Sequence, residues 1–64
     1  MFKEKWSFLL GMCYGEALRA FLDENAVDYE WFNYDDRHDS YELYVDEYEY
    51  DAINGFIADL VTKE

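Results

Sequence analysis

Apolar residues recur at two different periods along this 64-residue chain. Over the first third, Phe2, Trp6, Leu9, Leu10, Cys13, Ala17, Ala20 and Phe21 fall at the spacing of one helical face. Phe8, Met12, Gly15, Leu18 and Leu22 lie beside that face and widen the apolar sector well beyond one side of the helix. The pattern predicts a helix over about 3–24, stopped by Asn25, whose short polar side chain tolerates a left-handed backbone.

From residue 27 the period drops to two. Residues 27–34 begin with apolar–polar alternation and are rich in aromatics, which predicts a strand, and residues 41–50 predict a second. Between them, Asp35-Asp36-Arg37-His38-Asp39-Ser40 is turn chemistry, so the pair is expected to close as an antiparallel hairpin. Setting Trp31 opposite Leu43 places Tyr29 across from Val45 and Asn33 across from Tyr41. That register gathers Val27, Tyr29, Trp31, Tyr41, Leu43 and Val45 on one face. The other face then holds Asp28, Glu30, Phe32, Glu42, Tyr44, Asp46 and Tyr48. A one-residue slip would mix the two sets. Asp51 is placed to cap a final helix over about 52–62, with Ile53, Phe56, Ile57, Leu60 and Val61 as its apolar stripe. The expected fold class is α+β: one small α-β-β-α domain spanning 1–64, an antiparallel hairpin packed against two helices.

Length changes how that core must be supported. A chain this short buries only about 60% of the surface its unfolded form exposes. Cys13 is the single cysteine, so neither an internal disulfide nor a Cys/His zinc site can staple it. A second copy or a very well packed core is what remains, and the apolar-rich composition favours the second copy. The widened apolar sector of the first helix predicts a homodimer through Phe8, Gly11, Met12, Gly15, Leu18 and Leu22, the two glycines allowing close approach. With 52% apolar and 22% aromatic residues, the chain has the means to fold.

The start, Met1-Phe2-Lys3-Glu4-Lys5-Trp6 followed by an apolar run, has the outline of a secretory signal. Glu16 and Arg19 interrupt the run, however, and no small-x-small cleavage site follows. No stretch reaches the ~18–20 apolar residues of a membrane-crossing helix. The expected setting is the cytoplasm (a host cell's, if the protein is viral), with Cys13 a free, buried thiol and no membrane contact.

Charge is where the chain departs from an ordinary surface. Asp23, Glu24, Asp28, Glu30, Asp35, Asp36, Asp39, Glu42, Asp46, Glu47, Glu49 and Asp51 crowd residues 23–51, with Arg37 the only base among them. That segment therefore carries the entire net charge of −11, and the two ends of the chain cancel to zero. Like charges on one segment repel and weaken the fold.

Catalysis finds little support. His38 with Asp35, Asp36 and Asp39 could be drawn as a metal or acid–base cluster, but it falls on an expected exposed turn and matches no ligand spacing. No phosphate-binding loop, nucleophile elbow or zinc-helix motif is present. A unit of this size also has little room for a cleft of about 300 Å³. No enzyme activity, cofactor or metal is expected.

The acidic face of the hairpin points to binding. Same-face carboxylates on a strand stand about 6.5–7 Å apart, the scale of neighbouring phosphates on one nucleic-acid strand. The candidate partner-binding residues are Asp28, Glu30, Phe32, Asp35, Asp36, Asp39, Glu42, Tyr44, Asp46, Glu47, Tyr48 and Glu49. Their expected partner is a basic, nucleic-acid-binding protein, inhibited by a surface that imitates a phosphate backbone. Charge excludes direct contact with nucleic acid. In size and composition the chain resembles the small acidic proteins, often from phages, that mimic DNA to block nucleases, repair glycosylases or CRISPR effectors. The competing expectation is an antitoxin- or adaptor-like module that uses the apolar surface of the first helix, its acidic face merely solvated.

Overall fold

A computed structural model describes residues 2–62. Five elements follow one another: β1 (Glu4–Gly11), α1 (Met12–Glu24), β2 (Asp28–Asn33), β3 (His38–Val45) and α2 (Glu47–Thr62). The strands form one antiparallel sheet in the order β1-β3-β2, so the last strand lies between the first two. The α+β class, with an antiparallel hairpin packed on two helices, is as expected. The order is β-α-β-β-α rather than α-β-β-α, because residues 4–11 extend the sheet instead of beginning a helix.

Both helices lie on one face of the sheet. Leu18 and Leu22 of α1 and Ile53 of α2 close over Tyr41, Leu43 and Val45 of β3, with Leu10 and Val27 at the margins. Trp6 and Phe8 of β1 bring rings to the same layer. Trp6 lies 4.4 Å from Tyr50 between centroids, and Phe8 stacks on Tyr41 at 5.5 Å. Phe21 and Phe56 stack at 4.2 Å and join the two helices. Burying one such aromatic or aliphatic side chain contributes about 1.5–3 kcal/mol.

The shorter α1 exchanges the roles of its two apolar sets. Gly15, Leu18 and Leu22, assigned above to a dimer contact, are buried inside this chain. Cys13, Ala17 and Ala20, placed above on the first apolar face, are exposed. Of the other residues assigned to that contact, Phe8 packs inward from β1, Gly11 ends the strand, and Met12 is exposed. The expected buried thiol is thus an exposed one.

The helix ends differ from expectation in instructive ways. Asn25 is not the left-handed residue; Ala26 is, at φ 54°. The Val27 N–H donates to the Leu22 carbonyl at 3.0 Å and the Ala26 N–H to the Asp23 carbonyl at 3.2 Å, the paired bonds of a Schellman termination. At the start of α2 the cap is Asp46, not Asp51. The Glu49 N–H donates to Asp46 Oδ1 at 2.8 Å, and the Asp46 N–H donates back to Glu49 Oε1 at 3.0 Å. This reciprocal capping box satisfies two otherwise unpaired donors. It also means that residues 46–50 do not continue the second hairpin strand.

Pairing within the hairpin is shifted by two residues from the expected register. Tyr29 faces Leu43, Trp31 faces Tyr41 and Asn33 faces Asp39. A two-residue shift preserves which side chains share a face, since successive residues alternate. No helix among the described residues is long and apolar enough to cross a membrane.

Candidate docking surface on the open face of the sheet

The sheet has one covered face and one open face. Along β3, Asp39, Tyr41, Leu43 and Val45 are buried beneath the helices, while His38, Ser40, Glu42 and Tyr44 point the other way. The pairing builds the open face in three rows across the strands. They read Lys5, Tyr44 and Asp28; then Ser7, Glu42 and Glu30; then Leu9, Ser40 and Phe32. Five expected binding residues, Asp28, Glu30, Phe32, Glu42 and Tyr44, thus come together. Leu9, Phe32 and Tyr44 are 48%, 55% and 38% exposed there.

Glu30 and Glu42 are direct cross-strand partners. Side chains in that relation have Cβ atoms about 4.5–5.5 Å apart, and like charges so placed destabilise the pair. Lys5 Nζ, 3.9 Å from Glu42 Oε2, offsets part of this repulsion. Lys5 is exposed and Glu42 half-buried at the surface, so the ion pair is worth under about 1 kcal/mol.

The remaining expected binding residues lie elsewhere. Asp39 is buried on the helical side, because β3 begins at His38 and the turn is correspondingly shorter. Its Oδ1 accepts from Asn33 Nδ2 at 3.3 Å, and its Oδ2 is 3.9 Å from Arg19. Arg19 also donates to the Tyr41 hydroxyl at 3.1 Å and lies over the Trp31 ring at 3.9 Å. Burial pushes the Tyr41 phenol up, against the opposing pull of Arg19. Asp46 and Glu49 are engaged in the α2 cap, and Glu49 also pairs with Lys3 at 3.4 Å. Glu47 and Tyr48 sit exposed on the first turn of α2.

Asp35 and Asp36 occupy the hairpin turn, next to the Phe32 end of the open face. Asp35 Oδ1 accepts from the backbone N–H groups of Arg37 and His38, both at 2.8 Å, and His38 Nδ1 lies 3.0 Å away. The N–H of Arg37 above all, with His38 beside it, holds the Asp35 carboxyl below its usual range. These bonds order the turn. Among the described residues, no three His, Cys, Asp or Glu side chains are arranged to hold a metal ion.

Lys5, Ser7 and Leu9 are the members of this face that sequence reasoning missed. Trp6, Phe8 and Leu10 alternate with them at period two, which was the available signal. Two open-sided depressions, of about 570 and 530 Å³, exceed the room expected in so small a chain. One is lined by Trp6, Val45 and Tyr50 among others, the second by Met12, Arg19, Trp31, Asn33, Asp35, Asp36 and Asp39. No Ser, Thr, Cys or His lines either one. No family model, curated protein sequence or solved structure matches this chain.

Proposed function

We propose that this chain is a binding protein that occupies the basic groove of a nucleic-acid-binding protein, presenting carboxylates in place of phosphates. The observation that carries this reading is the Glu30–Glu42 pair on an uncovered sheet face, beside Asp28 and the exposed Phe32 and Tyr44 rings. A fold selected for stability alone has simple remedies for two opposed glutamates. A Lys or Arg from a partner, placed between them, turns the repulsion into two attractions. The exposed rings supply the rigid contact area that binding hot spots use. No comparable observation favours the adaptor reading, since Leu18 and Leu22 are occupied within the chain.

The test uses Glu30→Lys, which converts the opposed pair into complementary charges. Its melting temperature should rise, reflecting a cross-strand gain of about 0.5 kcal/mol. Its retention of a partner captured at low salt should nonetheless fall at least about tenfold, as expected when a charge in a docking face is reversed. Wild-type complex should be released by added nucleic acid and by salt. A partner that held the chain and nucleic acid together, or that bound Glu30→Lys as well as wild type, would rule the reading out.

A further inference from the structure

The open face carries its carboxylates along one side only. Asp28 and Glu30 stand on the β2 edge and Glu42 on β3 beside it, so the carboxylates form a band one inter-strand spacing wide, about 4.8 Å. One strand further, the β1 flank offers Lys5, Ser7 and Leu9, a cation followed by a hydroxyl and an aliphatic side chain. The exposed acids of α2, Glu47, Asp51 and Asp59, belong to the helical side of the sheet.

A duplex displays two phosphate backbones separated by a groove about 6 or 12 Å wide. A protein surface that imitates it face-on needs a second acidic row where this sheet has Lys5. A single strand has one backbone, with unstacked bases beside it. Here Phe32 continues the β2 edge past Glu30, Tyr44 lies across from Asp28, and both rings are exposed. Proteins that bind single strands combine a basic track for the backbone with aromatic platforms on which bases stack. One acidic band flanked by exposed rings is complementary to both parts of such a groove.

Resting on the docking reading above, we infer that the partner is a single-strand nucleic-acid binder: the Asp28–Glu30–Glu42 band lies on its basic track, and Phe32 and Tyr44 lie against its base-stacking platform.

The experiment measures displacement of labelled nucleic acid by the intact chain at low salt. One probe is an OB-fold single-strand-binding protein holding a labelled oligo-dT; the other is a homeodomain holding a labelled duplex of its own site. The chain should release oligo-dT at a concentration at least about tenfold below that needed for the duplex. Phe32→Ala and Tyr44→Ala should each weaken release of oligo-dT by about tenfold, the scale of one lost base-stacking contact. Their salt dependence should not change. Equal or better release of the duplex would overturn the single-strand assignment and leave the docking reading standing. Release of oligo-dT unaffected by both ring substitutions would also overturn it. Release of neither probe would remove the docking reading, and this inference with it.

Discussion

Two glycines in helices show how differently one residue type can be constrained. A Cβ built on Gly15 would lie 2.7 Å from the Tyr41 hydroxyl, 2.8 Å from Arg19 Nη1 and 3.2 Å from Asp39 Oδ2. Arg19 can swing aside, but Tyr41 is fully buried and its ring has nowhere to go. A Cβ on Gly55 would meet nothing within 4 Å. In a helix interior Ala is favoured over Gly by about 1 kcal/mol, so Gly55→Ala should raise stability by about that amount. Gly15→Ala carries the same helical gain, yet overpacking of about 1–3 kcal/mol opposes it. A net loss of about 1 kcal/mol is expected, with the Arg19–Tyr41 contact disturbed. Thermal melts of the two variants decide the matter. If Gly15→Ala gained as much as Gly55→Ala, the Tyr41 ring would be free to move and the packing described here would be wrong.

Among the elements, the end of α1 is the clearest case of a local rule broken. The Schellman geometry calls for a left-handed residue, and the chain supplies alanine at position 26. A residue bearing a Cβ is strained there by about 1–2 kcal/mol. Ala26→Gly relieves that strain but loosens the unfolded chain by about 0.4–1 kcal/mol. It should therefore stabilise by about 0.5–1 kcal/mol in a denaturant titration, and a loss would mean that the left-handed turn is not formed in solution. Much of the hairpin was legible in advance, because alternation at period two assigns faces even when the pairing is displaced by two residues. Asp46-Glu47-Tyr48-Glu49 also carried a readable cap, hidden by the apolar–acidic alternation that continues from β3 into α2. The first strand was misread for a physical reason. Trp6, Leu9, Leu10 and Cys13 satisfy a helical period while Trp6, Phe8 and Leu10 satisfy a strand period, and a run of eight residues is too short to separate the two. What resolves it is tertiary: β3 has two edges, and only β1 is left to pair with the second. That pairing is also what brings Lys5 beside Glu42 and confines the acidic band to one side of the open face.

At the scale of the whole molecule, charge acts on folding and on binding with opposite signs. A net charge of −11 is held within a body 36 Å in its longest dimension. At about 10 mM salt the screening length is roughly 30 Å, so nearly every carboxylate feels every other. At about 1 M it is roughly 3 Å, and only direct neighbours interact. Folding gathers the acids, so screening should stabilise the folded state. A relief of about 1 kcal/mol corresponds to a rise of about 4–8 °C in melting temperature for a domain of this size. Binding to a basic groove runs the other way, because the same ions screen the attraction that drives it. Melting temperature should therefore climb between about 10 mM and 500 mM NaCl while partner affinity falls over the same range. Glu30→Lys, with one opposed pair removed, should show a shallower slope in both measurements. Melting that did not respond to salt would mean the concentrated charge carries no cost, and its retention would then need no partner to explain it. Affinity that held constant while melting rose would place the partner's contact on an uncharged part of the surface.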